Sequence, residues 1–403
     1  MQIVIIGGGA AGSFAAINCA ERCPGHRITI LEKSSKVLVK VRVSGGGRCN
    51  VTHHCFENNI LVQNYPRGEK QLLSPFSRFN PQNTVEWFAQ RGVKLKTEAD
   101  GRMFPESNSS QTIIDCFLEQ LSKNKVNLKL NCGVKQIERK ETGFDLLLEN
   151  GGVIYADKVL IAVGGHVKPA AYDWLSKLGH TVVPPVPSLF TFNIPGDPVT
   201  QLMGMSVPAR VRIDNTKLEH TGPLLITHWG MSGPAILKLS SVGARALHEA
   251  GYDFSISVSW LPRHNEEKMR MELDELRRNC ASQKPFASKP FELPKRLWEF
   301  LLSKAGVGGE ARWGDLSNKQ LNRLVQALLH DNYKVKGKTT FKEEFVTCGG
   351  IKLSEVDFRT MESRLVPGLY FAGEVLDIDG ITGGFNFQAA WSTAMAAASS
   401  LCS

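Results

Sequence analysis

Ile3-Val4-Ile5-Ile6-Gly7-Gly8-Gly9-Ala10-Ala11-Gly12, running into the helix-like stretch Ser13 to Ala20, decides the fold. The order is apolar strand, glycine turn, helix. In such a turn Gly7 permits the tight bend, Gly9 lets backbone approach a pyrophosphate, and Gly12 lets the helix pack against the strand. The helix N-terminus then presents unpaired N–H groups to the phosphates. A second strand, Arg27-Ile28-Thr29-Ile30-Leu31, ends at Glu32. That acid falls about 20 residues past the last glycine, where a carboxylate accepts the ribose hydroxyls of a bound adenine dinucleotide.

Working outward, Lys33 to Lys40 leads into a second glycine cluster, Ser44-Gly45-Gly46-Gly47-Arg48-Cys49-Asn50-Val51-Thr52. Three adjacent glycines leave backbone bare for a flat or phosphorylated ligand, Lys40 and Arg48 supply cationic donors, and Asn50 supplies an amide. Alone, S-G-G-G would read as a flexible loop; its place behind the dinucleotide unit favours a ligand.

The 403 residues suffice for two or three domains. The net charge of +9 and a pI near 9 suit a nucleic-acid or membrane surface, and equally a protein whose ligands are polyanionic dinucleotides. The nine cysteines include no C-x-x-C pair, which points to reduced thiols in a cytoplasmic protein and to no metal site. No apolar window is long enough to span a bilayer, and the N-terminus lacks the basic region of an export signal.

Pro81 to Gln90 and Ser109 to Lys123 have helical spacing, with Phe88, Ile113, Phe117, Leu118 and Leu121 on buried faces. Gly101 to Pro105 reads as a turn between them. Strand patterns follow at Leu128 to Leu130, Gly133 to Glu138, Phe144 to Leu148, Val153 to Tyr155 and Lys158 to Gly165. Pro184-Pro185-Val186-Pro187 reads as a linker, so a first domain is expected over residues 1–186. Residues 187–262 alternate strand-like runs and turns, as in a small barrel or sandwich. Residues 263–342 hold helices at Glu266 to Arg278, Pro294 to Ala305 and Asn318 to Leu329. In that segment Arg277, Arg278, Lys284, Lys289, Lys295 and Arg296 form a basic surface, read as a solvated face. The chain then returns to the first domain over residues 343–403, through Phe341 to Thr347.

The pairing of G-G-G-A-A-G with S-G-G-G-R-C-N-V-T resembles the YhiN/BaiN-like family of FAD-dependent oxidoreductases, a branch of the two-dinucleotide-binding flavoproteins. Thr221 to Ala235, Thr347-Cys348-Gly349-Gly350-Ile351 and the block from Pro367 to Trp391 agree with it. The resemblance implies an α/β fold: a Rossmann-type FAD-binding domain with a β-meander, a β-barrel-like insert and a helical subdomain. It makes Val134 an adenine contact through its main chain, and makes Gly164-Gly165 the turn that passes the cofactor, with Val163 where the family usually has threonine. Gly373 and Glu374 close a strand whose acid serves the ribityl chain. After Gly384, the helix beginning Phe385-Asn386-Phe387 is expected to point its N-terminus at the flavin through the N–H groups of Asn386 and Phe387. The expected cofactor set is therefore Gly7, Gly9, Ala10, Ala11, Gly12, Glu32, Lys33, Lys40, Gly45, Gly46, Arg48, Cys49, Asn50, Val134, Gly164, Gly165, Gly373, Glu374, Gly384, Asn386 and Phe387. FAD is expected to be non-covalent, although Cys49 and His53 are nucleophilic.

His228, beside Trp229 and just before the helix start at Ser232-Gly233-Pro234, is the candidate catalytic acid; the alternative is a hydrogen bond at a domain junction. No second G-x-G-x-x-G occurs, so NADH or NADPH is expected as a transient donor. Three readings stay open. The first is an ene-type reductase of a small organic acceptor, for which the resemblance suggests steroid or bile-acid-like compounds. The second is an FAD-dependent tRNA-modifying enzyme; it lacks the long basic, aromatic-rich tract that stacks bases, so nucleic acid is not the expected partner. The third is a non-catalytic flavin-binding redox sensor.

Overall fold

Residues Gln2–Ile6 form the central strand, β1, of a parallel sheet in which Ile3, Val4 and Ile5 are fully buried. A strand covered on both faces reads as a continuous apolar run, hence Ile3 to Ile6 without a polar residue. β2 (Arg27–Leu31) and β3 (Asn127–Lys129) lie on one flank; β4 (Lys158–Ile161) and β5 (Leu369–Phe371) lie on the other, each strand parallel to its neighbour. The short strands Val356–Asp357 and Glu362–Ser363 extend the sheet antiparallel beyond β5. Strand order reverses between β1 and β4, and a doubly wound sheet takes its ligand at the carboxyl ends beside such a reversal.

The computed structural model describes residues 1–339 and 346–403. They fall into two compact units, residues 1–188 with 346–403 and residues 189–339. The expected boundary at 342/343 and the first part of the return from Phe341 lie outside the described residues. Among the described residues no helix is long and apolar enough to cross a membrane.

In the first unit helix α1 (Ala10–Arg22) packs along helix α2 (Phe385–Leu401), with the Phe14 and Trp391 rings 5.4 Å apart. Their C-caps, Cys23 and Cys402, are joined by a disulfide with Cα atoms 5.8 Å apart. This corrects the reading of nine reduced thiols: a spacing of 379 residues gives no local signal, and only the side-by-side packing of the two helices brings the sulfurs together. The β-meander is present as Val134–Arg139, Phe144–Leu148 and Val153–Ala156.

Three local readings differ. The expected turn at Gly101 to Pro105 contains the strand Arg102–Pro105, which pairs with both Thr52–His53 and Leu95–Thr97 and buries Met103 and Phe104. Leu118 lies 40% exposed. The proline run sits inside the strand Val182–Ser188, antiparallel to Val346–Ile351. A register shift between Val183 and Val186 leaves Pro184 and Pro185 out of the ladder, which suits residues that cannot donate.

The second unit is built on one seven-stranded antiparallel sheet. Its strand order is Asp331–Lys336, Asp253–Ser259, Ser206–Ile213, Glu219–Thr227, Gly230–Ser232, Thr191–Asn193 and Lys338–Thr339. Asp331–Lys336 comes from the segment read as helical, so the two expected insert subdomains share one sheet. They share one core too, since Trp260, Met269 and Leu297 belong to a single buried cluster. Buried Asp331 is tolerated because the Trp260 indole N–H donates to it at 2.9 Å and the Tyr333 hydroxyl and Lys304 ammonium also reach it.

Candidate cofactor site

The first glycine turn divides its tasks. Gly7 has φ +108°, and a Cβ there would lie 2.4 Å from the Ala162 carbonyl oxygen. A Cβ on Gly12 would lie 1.9 Å from the Gly7 oxygen, so helix and strand approach only because both are glycine. Around Gly9, by contrast, a Cβ would meet nothing within 4 Å. The open space lies over the start of α1, where Gly9 is the N-cap and no side chain caps the helix. The first-turn N–H groups of Ala10 and Ala11 have no carbonyl inside the helix to bond. Glu32 sits beside the same turn: Gly8 N donates to Oε2 at 2.8 Å, while Ser34 N and Oγ donate to Oε1 at 2.8 and 2.7 Å. Lys33 is exposed next to it. Cys132 N donates to the Glu32 carbonyl at 2.8 Å, which brings the strand starting at Val134 to the Glu32 end of the sheet.

At the second cluster the helix starting at Val39 is broken by Ser44, and Gly45, Gly46 and Gly47 follow with φ of 59°, 67° and 82°. Three successive left-handed residues are tolerable only as glycine. Open space surrounds Gly46 and Gly47. Asn50, with its amide oriented to suit its neighbours, donates to the Thr52 oxygen at 3.0 Å and accepts from Gly384 N at 2.9 Å. It ties this loop to the N-cap of α2. Arg48 pairs with Glu98 at 2.6 Å and lies 4.0 Å over the Phe104 ring. Cys49 is fully buried, and burial pushes its thiol up to about 12, so no nucleophilic thiolate faces the loop.

The far side of the crevice is made by the ends of β4 and β5. Gly164 (φ +75°) has open space where a Cβ would be, whereas Gly165 packs against Thr347 and Glu374. Glu374 Oε1 accepts from Thr347 N at 2.8 Å and Oε2 from Lys40 Nζ at 2.7 Å. Gly373 takes φ +76° and donates its N–H to Thr393 Oγ1 at 3.0 Å. Asn386 closes the preceding loop through two hydrogen bonds with Gly380, and the Phe387 ring stacks 5.5 Å from Trp391.

A profile of the family described as HI0933-like protein Rossmann domain matches residues 1–400. The chain belongs to this HI0933-like family. It is similar to the ribosomal RNA dihydrouridine synthase of Escherichia coli K12, 32% identical over 99% of this chain and 97% of that one. It is 28% identical, over 97% of each chain, to the 3-dehydro-bile acid delta(4,6)-reductase of Clostridium scindens. The solved structure of a 3-ketosteroid-delta4-(5alpha)-dehydrogenase from Rhodococcus jostii RHA1 shares the fold, with a TM-score of 0.51, 13% identity and coverage of 98% of this chain and 97% of that one. This HI0933-like chain is an FAD-dependent oxidoreductase.

The HI0933-like site fits FAD on its own chemistry. At Gly9, Gly46 and Gly164 a Cβ would meet nothing within 4 Å, which leaves the backbone there open to a ligand. The helix N-termini at Gly9 and Gly384 carry no side-chain cap, as a phosphate or flavin site requires, and the carboxylates of Glu32 and Glu374 follow the ends of β2 and β5. Several supporting residues escaped the sequence reading. Asp379, fully buried in the loop before α2, is held by Arg67 and accepts from Ser188 Oγ at 2.7 Å. Gln388 accepts from Thr52 and Thr84 at 2.6 and 2.8 Å, locking the first turn of α2. His166, directly after Gly165, lies close enough to Glu374, Lys33 and Lys40 to feel their charges; burial and then the two lysines hold its pKa below 6.5, against Glu374. Only its place after a glycine pair could have flagged it. His228 lies in the second unit, exposed on the two-residue turn between Glu219–Thr227 and Gly230–Ser232, with its ring 4.2 Å from Trp229.

Proposed function

We propose that this oxidoreductase reduces the C5=C6 double bond of a uridine in ribosomal RNA, with NADH or NADPH as electron donor. The observation that carries the reading is the full-length likeness to a ribosomal RNA dihydrouridine synthase at 32% identity. Charge supports it: residues 189–339 hold 21 Lys and Arg against 15 Asp and Glu, a larger excess than the rest of the chain. RNA thus takes the place of the small-molecule acceptor favoured on sequence grounds. The same chemistry accommodates the bile-acid relative, because uracil C5=C6 and a steroid enone are both double bonds conjugated to a carbonyl. FAD, once reduced by the nicotinamide donor, would supply hydride to the carbon β to that carbonyl.

The chain's own groups then have defined tasks. Gly9 and the α1 N-terminus receive the pyrophosphate, Glu32 and Val134 the adenosine, and Lys40, Gly165 and Glu374 the flavin side. The N-terminus of α2 stabilises negative charge on the reduced ring. His228 is the proposed donor of the proton that completes the α carbon.

The test incubates purified holoprotein and NADH or NADPH with ribosomal RNA from cells lacking the corresponding gene, followed by nucleoside digestion and mass spectrometry. Dihydrouridine formation is expected. A 3-oxo-Δ4 steroid consumed while the RNA stays unmodified would replace the RNA reading with the small-enone one.

A further inference from the structure

Thr347 stands out among the buried polar side chains of the first unit. It is fully buried, and its hydroxyl has no hydrogen-bond partner among the described residues. A buried hydroxyl without a partner is unfavourable, and proteins rarely leave one unless something else completes it. Its surroundings are specific. The residue lies on Val346–Ile351, opposite Pro187 in the ribbon, and its backbone N–H donates to Glu374 Oε1 at 2.8 Å. Its Oγ1 stands 2.6 Å from where a Cβ on Gly165 would be, and the Glu374 carboxyl carbon is 2.9 Å from the same point. Any side chain at position 165 would strike both groups, so the glycine keeps this corner for a hydroxyl and a carboxylate.

We propose that Thr347 is a cofactor-contacting residue, its Oγ1 hydrogen-bonding the hydroxyl-bearing ribityl side of FAD at the corner made by Gly165 and Glu374. The hydroxyl both donates and accepts, so it complements a polyol that also needs the acceptor Glu374. The Thr347 amide fixes Glu374, and Lys40 holds the other carboxylate oxygen. One residue therefore contributes twice, through its backbone to the carboxylate and through its side chain to the ligand. Among the described residues of the first unit, Thr347 Oγ1 is the one buried hydroxyl with neither a protein donor nor a protein acceptor.

The inference rests on the reading of Glu374 as the flavin-side acceptor, so the experiment carries Glu374→Gln as its reference. FAD dissociation constants are measured by serial dilution of holoprotein, following the fluorescence regained by released flavin, for wild type, Thr347→Val, Thr347→Ser and Glu374→Gln. Thr347→Val is expected to weaken FAD binding about three- to ten-fold, the range of one neutral hydrogen bond. Thr347→Ser, which keeps the hydroxyl, is expected to stay within about two-fold of wild type. The melting temperature of Thr347→Val without added FAD should equal or exceed that of wild type, because the Thr347 hydroxyl makes no hydrogen bond to the described residues. Should Thr347→Val fail to fold, Thr347→Ala carries the same comparison with Thr347→Ser. Wild-type affinity in Thr347→Val alongside weakened Glu374→Gln overturns the role of Thr347 and leaves the site intact. Unchanged affinity in Glu374→Gln removes the site reading itself, and the proposal with it. A lowered melting temperature with unchanged affinity in Thr347→Val makes the residue structural.

Discussion

Lys40 Nζ lies 2.7 Å from Glu374 Oε2 although 334 residues separate them in the chain. The pair joins the segment behind the first glycine turn to the end of β5, so both ends of the chain must close before the crevice exists. Glu374→Gln keeps the size but turns an amide toward the Lys40 ammonium and loses a charged acceptor. A hydrogen bond to a charged group contributes roughly 1.5 to 3 kcal/mol, so FAD affinity should fall about ten-fold to a hundred-fold. Glu32→Gln should behave likewise at the other end. Flavin release on dilution measures both; unaltered affinity in Glu374→Gln would mean that β5 does not complete the site.

Two glycines of one motif should fail in different ways. Gly9→Ala adds a methyl where nothing lies within 4 Å, at an ordinary φ of −80°. Its stability without cofactor should stay within about 0.5 kcal/mol of wild type. FAD affinity should nonetheless drop about ten-fold, because the methyl occupies the space kept for the ligand. Gly12→Ala instead forces a Cβ to 1.9 Å from the Gly7 oxygen and should destabilise the fold itself by about 1–3 kcal/mol. Chemical denaturation with and without added FAD separates the two. Equal loss of stability in both variants would argue against Gly9 as cradle.

The strand, turn, helix and second strand at the N-terminus were legible because each makes a backbone demand that few residue types meet: apolar on both faces, glycine at φ +108°, glycine where helix meets strand. The second cluster was legible as a loop for the same reason. The Arg67, Ser188 and Asp379 knot was not, since its members lie on three remote segments and each alone looks like an ordinary polar residue. Pro184 to Pro187 misled because proline usually ends a strand; the register shift that admits it depends on its partner strand, where a Cβ on Gly349 would lie 2.5 Å from the Pro184 oxygen. The boundary at residue 262 misled because local periodicity changes there while the core does not.

His180 is buried between two partners, with Nδ1 3.3 Å from Glu355 Oε2 and Nε2 3.1 Å from Ser363 Oγ. Burial holds its pKa below 6.5, outweighing the pull of Glu355 in the other direction. Burial, with help from nearby lysines, also lowers His166 and His220. An unfolded chain takes up these protons near pH 6.5 while the folded chain resists, so below that pH the unfolded state binds more protons. Stability should therefore decline as pH falls through about 6.5. Glu355 is lowered too, below 4.5, because the upward push of burial is outweighed by hydrogen bonds from Thr181 and His180, and it adds its own loss only at lower pH. Urea unfolding between about pH 7.5 and 5.5 should show this slope, and His180→Asn should make it shallower by at most about 1.4 kcal/mol per pH unit. An identical slope in His180→Asn would assign the effect elsewhere.

The disulfide between Cys23 and Cys402 sits at the C-caps of α1 and α2, whereas the cofactor residues stand at their N-termini. With 13 residues in α1, the two ends are about 20 Å apart. The bond should thus secure the packing of the two helices without touching ligand affinity. Because it closes a loop of 379 residues, its effect on the unfolded chain is near the top of the range for a single crosslink, and its loss should lower stability by about 4–5 kcal/mol. Denaturation midpoints of wild type should fall on adding a thiol reductant. Those of Cys402→Ser should start low and ignore it. FAD dissociation constants should be the same in all three cases, since a crosslink at the far ends of both helices leaves the glycine cradle and Glu374 in place. A wild-type midpoint indifferent to reductant would mean that the two sulfurs are free thiols in solution, and a parallel loss of FAD affinity would mean that the helices transmit the crosslink to the site.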